Sequence, residues 1–223
     1  MTAQVKKKLA LLLPALALIL AVVLVSADYH AYQPRSRTAP DSPGGLVFTI
    51  TAYDGESEDE LFVNCMGHAW LALDNQTDHS VTLGEREIRP GEILTFSTWA
   101  LSGHFGVVYN LEPRLIAEEG RYAGRTSLSV EIAEEQLPTL ADAIRRHSAW
   151  SPLKNCSVWA VRLWNELVGG EYDLPVQTLV YTPGRLQKAL WEFSVTETDR
   201  DFSRAGEIFI LRDGVPTELR YCP

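Results

Sequence analysis

From residue 46 onwards, short runs of apolar residues alternate with polar positions, a pattern typical of β-strands. Turn residues separate the runs, most clearly in Asn75-Gln76-Thr77-Asp78 and Arg89-Pro90-Gly91. We therefore predict six strands and, near the end of the chain, two closing strands. The predicted ranges are 46–53, 68–74, 80–83, 93–98, 105–109 and 126–132, then 207–211 and 217–221.

The spacing of apolar positions becomes helical after residue 136. One predicted helix carries Pro138 in its first turn, where the missing N–H does least harm. Another begins at Thr182-Pro183, a common N-cap and first helical position. Because strands come first and helices second, we expect an α+β domain, with an antiparallel sheet packed against a few helices. The apolar face of the first helix comprises Leu137, Leu140, Ala141 and Ile144, and that of the other contains Leu186 and Leu190.

A third helix is predicted over residues 154–167, with Asn155 as its N-cap and Gly169-Gly170 as its stop signal. This places Cys156 at the first helical position, where unpaired backbone N–H groups and the helix dipole favour a thiolate. A nucleophilic cysteine benefits from that position. The alternative is a structural cysteine, half buried at the start of a helix. The apolar stripe of this helix comprises Trp159, Ala160, Leu163, Trp164 and Leu167.

The first 27 residues have the pattern of a signal peptide or a membrane anchor. Three lysines at positions 6–8 precede an apolar run of 17 residues, and Val25-Ser26-Ala27 resembles a cleavage site. The lysines are expected to stay in the cytoplasm, so the rest of the chain is predicted to be exported, either membrane-anchored or secreted. Residues 28–45 are predicted to form a flexible linker. Residues 46–223 are predicted to form one domain.

The charge of the exported part limits its partners. The chain has 223 residues and a net charge of −9; without the three lysines of residues 1–27, it has 17 basic and 29 acidic side chains. A surface with this acidic excess repels phosphate backbones. We therefore expect no nucleic-acid partner.

A histidine is needed to activate a cysteine nucleophile, and His68 is the best placed in the pattern. It opens the predicted strand 68–74, and the preceding Gly67 leaves room for a close approach to another segment. His30 and His147 are expected to be solvated. A zinc site formed by Cys65, His68 and His79 is disfavoured, because it lacks the paired spacing of structural zinc sites. No metal or cofactor is expected.

Two motifs in this order resemble a known family. Gly67-His68-Ala69-Trp70, followed much later by Asn155-Cys156-Ser157, resembles the circularly permuted branch of the NlpC-type, papain-like cysteine amidases and peptidases, which includes the lecithin:retinol acyltransferase-like proteins. The stretch 104–112 and Trp164-Asn165 look like those of uncharacterised, exported bacterial proteins with this architecture. The resemblance covers most of residues 62–192. It implies a permuted papain-like domain with Cys156 as nucleophile and His68 as base.

A third group would orient the imidazole, and two candidates remain open. His104 matches the resembling proteins best and starts a predicted strand. Glu85 would face His68 directly if Gln76 and Thr77 formed a two-residue hairpin loop. Either group would hold the tautomer of the imidazole without exchanging its proton.

These features predict an extracytoplasmic thiol hydrolase or acyltransferase, cysteine peptidase-like, that cleaves an amide or ester of a cell-envelope peptide or acyl substrate. The alternative is an envelope binding module that keeps the fold without the chemistry. If Cys156 is the free nucleophile, Cys65 and Cys222 are the two cysteines left to form an intrachain disulfide, or both stay reduced.

Overall fold

The computed structural model describes residues 44–55, 67–101, 104–148, 150–151, 153–175, 181–212 and 215–218. This part of the chain contains ten strands and four α-helices. The strands are β1 (Leu46–Tyr53), β2 (His68–Asn75), β3 (Val81–Leu83), β4 (Arg86–Ile88), β5 (Ile93–Leu101), β6 (His104–Tyr109), β7 (Thr126–Ile132), β8 (Glu197–Thr198), β9 (Phe209–Arg212) and β10 (Val215–Glu218). The helices are α1 (Leu111–Glu119), α2 (Leu137–Arg146), α3 (Cys156–Leu167) and α4 (Pro183–Leu190).

Eight strands form one antiparallel sheet in the order β10-β9-β6-β5-β2-β1-β7-β8. In its centre, β1 and β2 pair from Leu46 opposite Asn75 to Tyr53 opposite His68. The two short strands β3 and β4 pair with each other in a separate sheet. The predicted α+β class with a large antiparallel sheet is therefore confirmed.

The large sheet is covered on both faces, because residues of a strand point alternately to either side. On one face, β1, β2 and β5 pack against α2, α3 and α4, with Phe48 stacked on Trp164 at 5.5 Å between ring centroids. On the other face, Trp70 packs with Leu111 and Leu115 of α1 and with Phe202. All eight residues of β2 are buried. The central strands thus carry an apolar core on each side.

Most predicted elements are present. The ranges predicted for β1 and β7 are identical to the observed ones, and α2, α3 and α4 lie at their predicted positions. Strands β4 and β8 and helix α1 were not predicted. Helix α1 follows β6 directly because Asn110 takes a left-handed conformation, with φ 59°, that redirects the chain. The Asn110 side chain holds this turn by accepting a hydrogen bond from Thr95 N at 3.0 Å.

The hairpin predicted between β2 and Glu85 is wrong. Strand β2 pairs with β1 and β5, whereas Glu85 is exposed in the turn between β3 and β4. The side chain of Asn75 explains the difference, since its Nδ2 donates to the carbonyl oxygens of His79 and Ile88, both at 2.9 Å. These bonds turn the chain away from β2.

The predicted export signal falls outside the described residues, as do most of the predicted linker and both Cys65 and Cys222. Within the residues that the structure describes, no helix has the length and apolar character needed to cross a membrane.

Candidate active site

Helix α3 begins at Cys156, and its first turn is fixed by the predicted cap. Asn155 has an extended backbone, and its Oδ1 accepts a hydrogen bond from Val158 N at 3.1 Å. Its Nδ2 donates to the carbonyl oxygen of Tyr181 at 2.8 Å, which ties the start of α3 to the segment that leads into α4. The two hydrogen bonds of the Asn155 side chain therefore fix the backbone next to Cys156.

His68 is positioned by the start of β2. The preceding Gly67 has a φ of +64°, and a Cβ there would lie 2.2 Å from the carbonyl oxygen of Tyr53. Only glycine fits this conformation and this close approach. The expected role of Gly67 is therefore confirmed, and the His68 side chain is held in the buried interior, with 5% of the residue exposed.

The structure brings the Cys156 thiol and the His68 imidazole close enough for each group to shift the pKa of the other. Burial alone raises the pKa of Cys156, but the imidazole, the backbone N–H of Ala69 and the Ser157 side chain together lower it below its usual value. Burial lowers the pKa of His68, but the Cys156 sulfur and the Glu112 carboxylate outweigh this effect and raise it to about 9. The two shifts are reciprocal, and both favour a thiolate–imidazolium pair over the neutral pair.

The third member of the site is Glu112, on the first turn of α1. Its Oε1 lies 3.1 Å from His68 Nε2 and also accepts hydrogen bonds from the Ser97 hydroxyl and from Trp99 Nε1. Its Oε2 accepts from the Thr95 hydroxyl at 2.8 Å. Burial raises the pKa of Glu112, but the His68 ring and the Ser97 hydroxyl lower it by a larger amount. The pKa of Glu112 therefore lies below its usual value. Glu112 is therefore a fully buried carboxylate whose charge is balanced by hydrogen-bond donors.

Because the carboxylate engages Nε2 of His68, we assign Nδ1 to the Cys156 sulfur. Glu112 then fixes the tautomer and the orientation of the ring, the role that an acidic group plays in catalytic triads.

Aromatic rings enclose the imidazole. The ring centroid of His68 lies 4.1 Å from that of Trp99, 5.7 Å from that of Trp70 and 5.8 Å from that of Tyr122. These rings keep water from the ring of His68 and from Glu112, which strengthens the electrostatic interactions between the charged groups.

The other predicted site residues do not join this group in the described structure. Glu85 is exposed, as the corrected strand pairing requires. His104 begins β6 opposite Leu101, and its side chain lies outside the described part of the structure, so its role stays a prediction. His79 is exposed and contacts Asp78 and Glu134.

Sequence reasoning missed Glu112, although it lies within the stretch that carries the family resemblance. The available signal was an acidic residue before Pro113, directly after a strand, which is typical of the first turn of a helix. That signal locates the helix. The contact with His68 depends on the packing of α1 under β2 and β5, which the local pattern does not specify.

Comparisons of the chain with protein-family models, with curated proteins and with solved structures found no match. Functional inference therefore depends on the geometry of this site and on the order of its residues along the chain.

Proposed function

We propose that this protein is a thiol hydrolase or acyltransferase that cleaves an amide or ester through an acyl-enzyme intermediate. The observation that carries the proposal is the buried chain of contacts from Cys156 to His68 to Glu112, with reciprocal pKa shifts at the first two residues. Structural cysteines in apolar surroundings have raised pKa values, the opposite of the direction at Cys156.

In the proposed reaction, the Cys156 thiolate attacks the acyl carbon and forms a carbon–sulfur bond. The carbonyl electron pair moves to the oxygen, and the first-turn backbone N–H groups of α3 stabilise this oxyanion. The intermediate then expels the amine or alcohol, which takes its proton from the His68 imidazolium. Water or a second alcohol or amine, deprotonated by the now neutral His68, releases the acyl group from sulfur.

The order of the residues supports a permuted papain-like arrangement. The histidine strand β2 precedes the cysteine helix α3 in the chain, and α3 packs across β2 within an antiparallel sheet. This is the order implied by the motifs around His68 and Cys156.

The sequence of residues 1–27 supports export, with a membrane tether or cleavage as the two outcomes. The proposed substrates are therefore peptide or acyl groups of the cell envelope.

The test is the pH dependence of Cys156 alkylation by iodoacetamide, followed by mass spectrometry of the peptide that contains Cys156. The wild type is expected to react with a midpoint well below the free-thiol pKa of about 8.5. In His68→Ala the midpoint is expected to move towards that value, because the imidazolium no longer stabilises the thiolate. His147→Ala is the matched control, because His147 lies at the end of α2 and contacts Glu166 of α3. This variant should leave the alkylation profile unchanged.

For an envelope binding module without chemistry, Cys156 would titrate as an ordinary thiol. An unshifted profile that does not respond to His68→Ala would therefore overturn the proposed function.

A further inference from the structure

The paired section of β2 and β5 ends before His68, the first residue of β2. Strands β2 and β5 pair from Asp74 opposite Ile93 to Leu71 opposite Phe96, and both strands continue beyond this ladder, to His68 and to Leu101. In the continued section the rings of His68 and Trp99 lie 4.1 Å apart between centroids, a contact that fits the same register. One residue further into the sheet, this register brings Thr98 opposite Ala69, in the strand that packs against the cysteine helix.

Thr98 lies on the cysteine side of the sheet. Its neighbours Ser97 and Trp99 both bond Glu112 on the opposite face, and side chains alternate along a strand. Phe96, two residues away on the same side as Thr98, makes an edge-on contact with Trp159 of α3 at 6.2 Å between ring centroids. The Thr98 side chain therefore lies on the face of the sheet that packs against the cysteine helix.

The Thr98 hydroxyl is a buried donor without a protein partner in the described structure. Only 1% of the residue is exposed, and Oγ1 makes no hydrogen bond. Leaving a buried polar group unpaired is unfavourable, so each such group calls for a physical explanation. Valine would fill the same volume without this cost.

The next residue across the sheet leads to open space. Thr98 pairs with Val107 of β6, and Val107 lines a cleft of about 360 Å³ between β6 and α2. Adjacent strands lie about 4.8 Å apart, so the row from Ala69 through Thr98 to Val107 spans about 10 Å. An acyl group on Cys156 could therefore extend past Thr98 towards this cleft.

We propose that the Thr98 hydroxyl donates a hydrogen bond to the carbonyl oxygen of the acyl group that Cys156 attacks. The capping bond uses Val158 N–H and leaves the Cys156 N–H outside the bonds of the cap. The thiolate forms the carbon–sulfur bond, the carbonyl electron pair moves to the oxygen, and that oxyanion accepts bonds from the Cys156 N–H and the Thr98 O–H. This inference rests on the proposed acyl-enzyme chemistry and makes Thr98 a catalytic residue of the same site.

Two reagents separate this role from thiolate formation. Iodoacetamide alkylates sulfur by displacement and forms no oxyanion, whereas p-nitrophenyl acetate acetylates sulfur through one. In Thr98→Val, acetylation of Cys156 is expected to slow by about tenfold or more. The alkylation rate should stay within about twofold of the wild-type rate, and the pH midpoint of alkylation should not move. Thr98→Ser retains the hydroxyl and should restore acetylation.

The matched control is Thr49→Val, which removes another buried strand hydroxyl, one bonded to Ser129 Oγ at 2.9 Å. This variant should acetylate at the wild-type rate. Equal rates for Thr98→Val and wild type, or equal slowing with both reagents, would overturn the role of Thr98 and leave the proposed function standing. A wild type that p-nitrophenyl acetate does not acetylate on Cys156 would overturn the acyl-enzyme proposal, and this inference with it.

Discussion

At the scale of single residues, the candidate site contains a fully buried carboxylate. Glu112 receives donors from His68, Ser97, Thr95 and Trp99, so its charge is compensated without water. Its negative charge favours the imidazolium over the neutral ring. Glu112 thus acts on Cys156 through His68 and is a positioning residue.

Replacing Glu112 with Gln tests that role. The Gln carbonyl can keep the three donors at Oε1, and its amide can donate to the Thr95 hydroxyl, so the fold is expected to survive. Without the carboxylate, the neutral thiol–imidazole pair competes with the ion pair, and alkylation of Cys156 at pH 7 is expected to slow by about tenfold or more. In NMR titrations, the pKa of His68 should fall from about 9 towards 6.5.

The matched variant is Glu118→Gln on the same helix, where the carboxylate is exposed and bonds Arg114. It should change neither the alkylation rate nor the His68 titration. A Glu112→Gln protein with the wild-type His68 titration would show that the carboxylate does not control the ring.

The sequence predicted the pairing of Cys156 with His68 but not the contact of His68 with Glu112. Cys156 and His68 each follow a residue with a clear local role. Asn155 is a favourable N-cap before Cys156, and Gly67 allows a close backbone contact before His68. Glu112 meets His68 because α1 packs under strands that are distant in sequence. Glu85 was a wrong candidate because one side chain, Asn75, redirects the chain after β2.

At the scale of elements, the start of α3 fixes the position of the cysteine. The Asn155 side-chain amide makes two hydrogen bonds: it caps the helix, and it donates to the Tyr181 carbonyl oxygen. Most of the longer strands and helices α2 to α4 were predictable because their apolar periodicity is regular. Helix α1 has a short and weakly amphipathic sequence and follows β6 without a linker, so its pattern merges with that of the strand.

Asn155→Asp separates the cap from the electrostatics. The Asp side chain can still accept from Val158 N, but it loses the bond to Tyr181 and places a negative charge beside the thiolate. The pKa of Cys156 is therefore expected to rise, and the alkylation midpoint should move to higher pH.

Its control is Thr182→Ala, which removes the equivalent cap of α4, a hydrogen bond from Arg185 N at 3.3 Å. That change should lower the free energy of unfolding by about 1 kcal/mol without moving the alkylation midpoint. If Asn155→Asp also leaves the midpoint unchanged, the first turn of α3 does not tune the thiol.

At the scale of the whole molecule, a buried carboxylate in β2 holds the C-terminal part of the chain against the sheet. Asp74 Oδ2 lies 2.7 Å from Arg204 Nη2 and 3.6 Å from Arg200 Nη2, and only 2% of Asp74 is exposed. Between these arginines, Phe202 packs edge-on against Trp70, which in turn stacks on His68. The segment 199–206 therefore completes one wall of the aromatic enclosure.

Asp74→Asn is expected to loosen that segment. The change leaves two arginines without their shared carboxylate, and because Arg204 is half exposed, we expect a loss of about 2 kcal/mol rather than the larger cost of a fully buried pair. For a chain of this size, that loss lowers Tm by about 4–8 °C. Hydrogen exchange should become faster at the amides of Asp199 and Ala205, which bond the carbonyl oxygens of Arg125 and Phe202.

The matched control is Asp142→Asn, which removes an exposed carboxylate that pairs with Arg145 on α2 and should change Tm little. Wild-type exchange rates at both amides in Asp74→Asn would show that the segment is held by its apolar contacts instead.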